Sequence, residues 1–319
     1  MPIDATARLI AIDWGTSALR GWLLGDGGAM LDMRRAPLGI MAVADGDFEA
    51  AYRDFTADWR RARPGPPALA AGMIGSRQGW REAPYVSCPA GLADLATHGV
   101  AVGGGDARLR IVPGLSWRAP DGLIDVMRGE ETQVFGALQA AAGDAPAIGD
   151  GLFILPGTHS KWVQAVAGRI AGFATYMTGE LFAVLRGHSI LGRMMPADGS
   201  MPHDAAAFAA GVRDGLTYGA ELPRRLFGVR TGGLLGGLRE HAAPSFLSGL
   251  LIGTEIAAAR RDGGVGAGAS AATLIGEPTL CARYVEALTL AGITTHVAAA
   301  DTTPRGLWQL ATAAGMIDG

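Results

Sequence analysis

Two short stretches of the chain join an apolar run to a Gly-Thr turn and a nearby hydroxyl. The first is Ile10-Ala11-Ile12-Asp13-Trp14-Gly15-Thr16-Ser17, the second Phe153-Ile154-Leu155-Pro156-Gly157-Thr158-His159-Ser160. Glycine lets backbone approach a ligand closely, and turn N–H groups with a Thr or Ser hydroxyl can converge on an anion such as phosphate. Each turn leads into a second run, Leu19 to Leu24 or Lys161 to Val166, then a polar or glycine turn and a third run. This is a strand-turn-strand-turn-strand unit used twice. Two facing copies would make a two-sided phosphate clamp. A single Gly-Thr turn is also ordinary hairpin chemistry. The repetition and the carboxylate of Asp13 at the first strand end favour the ligand, because Mg2+ takes few protein groups and keeps several waters.

The elements that must position these turns read as two α/β lobes. Phe48 to Arg63 has Phe48, Tyr52, Phe55 and Trp59 at helical spacing, a stripe that reads as core. A buried strand, Ala68 to Ala71, delivers Gly72-Met73-Ile74-Gly75-Ser76-Arg77 at its carboxyl end, where open α/β sheets place ligands. A further strand is expected over Leu109 to Val112, and Gly129-Glu130-Glu131-Thr132-Gln133 opens a helix through Ala142. The stretch Ala141 to Asp150, rich in Ala, Gly and Asp, reads as the boundary, giving lobes 1–148 and 149–319. In the second lobe, helices are expected around Leu181 to Leu191, Ala205 to Tyr218 and Pro244 to Arg261, and a surface loop over Asp262 to Ala272. Strands at Thr273 to Ile275 and Thr295 to Ala299 alternate with a helix to Ala291 and a last helix from Pro304.

Composition narrows the function classes. With 27 basic against 30 acidic side chains and no basic run, nucleic acid is not the expected partner. Two cysteines, Cys88 and Cys281, lack metal-ligand spacing and suit a reduced cytoplasmic protein. No uninterrupted apolar stretch reaches the roughly 18 residues of a membrane span, and the N-terminal residues carry no basic-then-apolar signal pattern.

The strings Asp13-Trp14-Gly15-Thr16-Ser17, Pro156-Gly157-Thr158-His159-Ser160-Lys161-Trp162 and Leu274-Ile275-Gly276-Glu277-Pro278 resemble the phosphate and adenosine motifs of the sugar kinase, hsp70 and actin superfamily. More narrowly, the chain resembles the 2-dehydro-3-deoxygalactonokinase family over nearly its full length. That likeness rests on Ala71-Gly72-Met73-Ile74-Gly75-Ser76, Met127-Arg128-Gly129-Glu130-Glu131-Thr132-Gln133, Met177-Thr178-Gly179-Glu180-Leu181 and Phe246-Leu247-Ser248-Gly249-Leu250-Leu251-Ile252-Gly253. The resemblance implies two ribonuclease-H-like lobes around an ATP and substrate cleft, an actin-like ATPase fold whose lobes close on their ligands. It implies ATP-dependent phosphorylation of the terminal hydroxyl of a 2-keto-3-deoxy sugar acid, giving the 6-phosphate.

On that basis Gly15, Thr16, Ser17, Gly157, Thr158 and His159 would hold the ATP phosphates, Asp13 the Mg2+ shell, and Gly276, Glu277 and Thr279 the adenosine. Phosphoryl transfer also needs a carboxylate to orient the attacking hydroxyl and take its proton. Related carbohydrate kinases open an interlobe helix with Gly-Asp-Gln-Gln, and Gly129-Glu130-Glu131 resembles that element with Glu for Asp. Glu130 is the expected base; Glu131 and Asp125 stand as alternatives, and a pair of acids at a helix start can also simply complement the dipole. A guanidinium for the substrate carboxylate is expected from Arg77 or Arg128, less so from Arg20. Gly75 and Ser76 would meet sugar hydroxyls or the keto oxygen, and Glu180 the metal or substrate. The ligands are thus ATP, Mg2+ and a small sugar acid, with self-association left open. The competing classes are a kinase for the gluconate epimer or another sugar acid, a phosphatase or ATPase, and a non-catalytic sugar-acid sensor.

Overall fold

An unbroken apolar run needs cover on both faces, and β1 (Leu9–Trp14) has it: every residue is buried. In this computed structural model, which describes residues 7–61, 65–105, 108–138, 150–196, 203–261 and 263–318, β1 is the centre of a mixed sheet. It pairs antiparallel with β2 (Leu19–Leu24), and β2 pairs antiparallel with β3 (Met30–Ala36). On its other side it runs parallel to β4 (Ala68–Ala71), followed by parallel β7 (Leu109–Ile111) and antiparallel β6 (Val100–Val102). The register Asp13↔Ala71 brings the carboxyl ends of β1 and β4 side by side.

The aromatic stripe is core, as its spacing predicts. Phe48, Tyr52 and Trp59 are buried, with Trp14 and Phe48 edge-to-face at 5.7 Å. The helix itself is shorter than expected: α1 (Phe48–Thr56) gives way to a 3-10 turn at Ala57–Arg60, and Arg63 lies outside the described residues. A small sheet of β5 (Tyr85–Ser87), β8 (Gly114–Arg118) and β9 (Ile124–Met127), absent from the sequence reading, flanks α2 (Leu92–Thr97) in the chain and leads into α3 (Glu130–Leu138).

The second sheet repeats the order of the first. Its strands are β10 (Gly151–Leu155), β11 (Ser160–Val166), β12 (Arg169–Tyr176), β13 (Ala271–Leu274) and β14 (Thr294–Val297), in the order β12-β11-β10-β13-β14. β10, β13 and β14 run parallel, as β1, β4 and β7 do. This duplicated strand order is the ribonuclease-H-like α/β arrangement. The remaining helices are α4 (Thr178–His188), α5 (Ala205–Tyr218), α6 (Leu222–Leu234), α7 (Ala243–Ala259), α8 (Pro278–Leu290) and α9 (Thr302–Ala313). Residues 240–259, which include α7, are long and apolar enough to pass for a membrane span, but 72% of that stretch is buried inside the fold. Gly249 and Gly253 of α7 meet α5 backbone to backbone: a Cβ would lie 2.2 Å from Phe208 O and 2.3 Å from Val212 O.

The chain divides into two compact units. Unit 1 is Met1–Asp150, Ala165–Gly172 and Ala299–Gly319; unit 2 is Gly151–Gln164 and Phe173–Ala298. This corrects the simple division at 148/149 in two places. The turn between β11 and β12 belongs to unit 1 because Ala90 and Ile170 exchange both backbone hydrogen bonds, at 3.0 and 2.8 Å, and Arg169 pairs with Asp94 at 3.0 Å. α9 belongs there because it lies directly on α3: a Cβ at Gly136 would fall 1.8 Å from Thr302 O, and one at Gly306 1.9 Å from Thr132 O. The expected boundary over 141–149 and the helix extension to Ala142 lie outside the described residues, as does Asp262 of the expected loop.

Candidate active site

In unit 1 three strand and helix ends converge. Asp13, the penultimate residue of β1, is 8% exposed and paired with Arg20 of β2. Burial pushes its carboxyl above the usual range, with Arg20 pulling the other way. Gly72, directly after β4, has φ +94°, and a Cβ there would lie 3.1 Å from Asp13 Oδ1 and 2.9 Å from Trp14 O. Gly129, directly before α3, has φ +110°, and its Cβ would meet Gly72 Cα at 3.2 Å. Glycine at both places is what lets the start of α3 reach the carboxyl ends of the strands. Next to Asp13, the first Gly-Thr turn leaves Thr16 and Ser17 exposed, while Gly15 N–H donates to Ala18 O at 2.9 Å.

The two glutamates that open α3 part company. Glu131 is fully buried and accepts Gly129 N–H on both oxygens, at 2.9 and 2.7 Å. Burial first, then the neighbouring Glu130, push its carboxyl up to about 8. Glu130 is half-buried and accepts Arg128 N–H at 3.1 Å. Arg128 and Ser76 are each 9% exposed. Arg77, by contrast, is 86% exposed and pairs at 3.7 Å with Glu82 on the surface. The structure does not bring it into this group, because Gly75 and Ser76 turn inward where Arg77 turns to solvent.

In unit 2 the Gly157-Thr158 turn sits on the start of α4. Glu180 N–H donates to Thr158 O at 2.9 Å, and a Cβ at Gly179 would lie 2.4 Å from Gly157 O. The side chains of His159 and Glu180 hydrogen-bond to each other at the exposed end of this contact. A cavity of about 320 Å³ runs from Gly157 and Gly179 past Phe208 to Glu277, Thr279 and Arg283. Glu277 caps α8 by accepting Thr279 N–H at 3.0 Å and Leu280 N–H at 2.8 Å, and these bonds hold its carboxyl below the usual range. Gly276 is exposed at the turn before it, its missing Cβ 3.4 Å from Pro156 O.

A family profile described as 2-keto-3-deoxy-galactonokinase matches residues 13–310. A 2-dehydro-3-deoxygalactonokinase from Escherichia coli (strain K12) is 40% identical over 297 residues, spanning 93% of this chain and 94% of that protein. The chain belongs to the 2-keto-3-deoxy-galactonokinase family. A probable 2-dehydro-3-deoxygalactonokinase from Rhizobium meliloti (strain 1021) is 38% identical over 302 residues, covering 92% of this chain and 93% of that protein. A crystal structure of a provisionally assigned 2-dehydro-3-deoxygalactonokinase from Sinorhizobium meliloti aligns with a TM-score of 0.85 and 38% identity, covering 96% of this chain and 98% of that one.

Within this family fold, buried side chains support the second Gly-Thr turn. Ser160 is wholly buried and donates to Glu255 at 2.8 Å, so it holds the turn from beneath. Lys161 is buried, with Nζ donating to Thr175 at 2.7 Å. Glu255, on α7, was not singled out by sequence, yet it also accepts Trp162 Nε1–H at 2.7 Å and Tyr284 O–H at 2.8 Å. Its carboxyl is pushed up by burial and pulled down by these donors and Thr178. One buried carboxyl therefore ties the second Gly-Thr turn to α4, α7 and α8.

Proposed function

We propose that this chain is an ATP-dependent kinase that phosphorylates the 6-hydroxyl of 2-dehydro-3-deoxy-D-galactonate. The observation that carries the reading is family membership over nearly the whole chain, shared with a curated kinase of that substrate at 40% identity. The geometry supports it from both units. In unit 2, the cavity beginning at Gly157 and ending at Glu277 and Thr279 suits a nucleoside whose phosphates lie toward Gly157, Thr158 and His159. In unit 1, Gly15, Thr16 and Ser17 present a second exposed turn for phosphate.

The base in this reading is Glu130. It orients the C6 hydroxyl, whose oxygen attacks the γ-phosphorus as the bond to the ADP oxygen breaks, and it accepts the hydroxyl proton. Glu131 is sealed from solvent and held neutral near pH 7, so it serves as the brace that fixes Gly129 and the start of α3. Adjacent carboxyls in unlike environments can thus divide two roles. Asp13 fits the metal: a buried carboxyl raised by desolvation favours a nearby cation, and a single carboxylate with phosphates and waters suits Mg2+. When bound, Mg2+ neutralises charge on the transferring phosphoryl group. Glu180, on the same surface as His159, steadies the second phosphate turn.

Phosphorus NMR of the product mixture tests the assignment. A new primary phosphate ester on the sugar acid, formed in step with ADP, is expected; inorganic phosphate as the sole product would overturn it.

A further inference from the structure

Arg128 is an unusual buried cation. It follows β9, is nine-tenths buried, and lies with its guanidinium carbon 4.3 Å from the centre of the Tyr85 ring. Nη2 donates to Ala83 O at 2.8 Å, but Nε and Nη1 have no hydrogen-bond partner among the described residues. A glycine lets Nη1 lie close against the chain that leads into Ser76: a Cβ at Gly75 would stand 2.9 Å from it and 2.8 Å from Ile111 Cγ2. The next residue, Ser76, is equally buried, and among the described residues its Oγ also lacks a partner. Buried donors left unpaired are costly and rare in folded proteins. Two neighbouring residues with three such atoms point to a ligand that brings its own acceptors, and a cation among them points to an anion.

We propose that Arg128 and Ser76 form the subsite for the carboxylate end of the substrate, the 2-oxo acid head, with Tyr85 as the positioning residue that holds the guanidinium flat. The identity of that substrate rests on the kinase reading above. Arg128 is two residues before Glu130, and its backbone N–H donates to the Glu130 carboxylate. One short segment therefore carries both the anchor for C1 and the base for the hydroxyl at C6, the two ends of the six-carbon chain. With the acid head recognised in this way, a neutral sugar is expected to be a poor acceptor.

The test measures binding of 2-dehydro-3-deoxygalactonate by calorimetry without nucleotide, beside steady-state kinetics with saturating ATP. Arg128→Lys and Arg128→Ala should each raise Kd and KM for the acid by about 30-fold or more, the worth of a charge-assisted hydrogen bond, with the loss falling on KM rather than kcat. Millimolar guanidinium should recover part of the loss in Arg128→Ala but not in Arg128→Lys. Ser76→Ala and Tyr85→Leu should raise KM by about 5-fold and leave the KM for ATP unchanged. Wild-type affinity for the acid in folded Arg128→Lys, or a loss shared equally by acid and ATP and not recovered by guanidinium, would overturn the subsite while leaving the kinase standing. A wild-type protein that neither binds nor phosphorylates the acid would overturn the kinase reading and the subsite together.

Discussion

Gly72 stands directly against Asp13: a Cβ on Gly72 would lie 3.1 Å from the Asp13 Oδ1 and 2.9 Å from the carbonyl oxygen of Trp14. The carbonyl belongs to the central strand and cannot give way without moving β1, and φ +94° adds strain for any L side chain. Gly72→Ala should therefore lose about 1–3 kcal/mol of stability. It should also lose activity beyond that, since the shift falls on Asp13. Thermal melts and kinetics at a temperature where the variant is fully folded separate the two effects.

Removing the charge from each glutamate of α3 distinguishes their roles. Glu130→Gln should lower kcat by about 10²–10⁴-fold, the usual worth of a positioned base, with little change in KM for ATP. Glu131→Gln should keep most of the activity at neutral pH, because the native carboxyl is already neutral there. Steady-state kinetics on the two variants check this; a larger loss in Glu131→Gln would reverse the assignment.

The Glu131 carboxyl also predicts a pH dependence of stability. Its value in the folded protein is raised to about 8 from an ordinary 4.5. Between those limits the folded state binds more protons than the unfolded state, so stability falls as pH rises through the window. Wild-type protein should lose about 2–4 kcal/mol more than Glu131→Gln between pH 5 and pH 8.5. Chemical denaturation of both proteins at each pH gives the difference directly.

Glu255 is the corresponding brace of unit 2. Glu255→Ala leaves the buried donors of Ser160, Trp162 and Tyr284 without their acceptor and should cost about 3 kcal/mol or more. Because Ser160 supports the Gly157-Thr158 turn, the KM for ATP should rise while the KM for the sugar acid holds. Denaturant melts and kinetics with each substrate varied in turn test both halves.

What the sequence disclosed follows the range of the forces involved. β4 at Ala68–Ala71 and α5 at Ala205–Tyr218 match their expected bounds because an apolar run with clear punctuation, and Asp204 as the N-cap, are local signals. α6 was missed: Pro223 stands in its first turn and Gly228, Gly232 and Gly233 interrupt the apolar period that would have marked it. Both Gly-Thr turns were legible for the same local reason. Glu255 was not, since its partners Ser160 and Trp162 stand 95 and 93 positions away in the chain. Arg77 and Arg128 looked equivalent as cations, and only tertiary burial separates the exposed ion pair from the enclosed guanidinium. The same holds for Glu130 and Glu131, adjacent and chemically alike, which differ in what α3 covers.

Phosphoryl transfer from ATP to a specific sugar acid is checked by ADP release from purified protein with Mg2+. Three reactions are compared: 2-dehydro-3-deoxygalactonate, its gluconate epimer, and no acceptor. A strong rise with the galactonate compound over both others is expected. Equal rates in all three would contradict it and make the protein an ATPase or phosphatase; no turnover in any would leave a binding protein without the proposed chemistry.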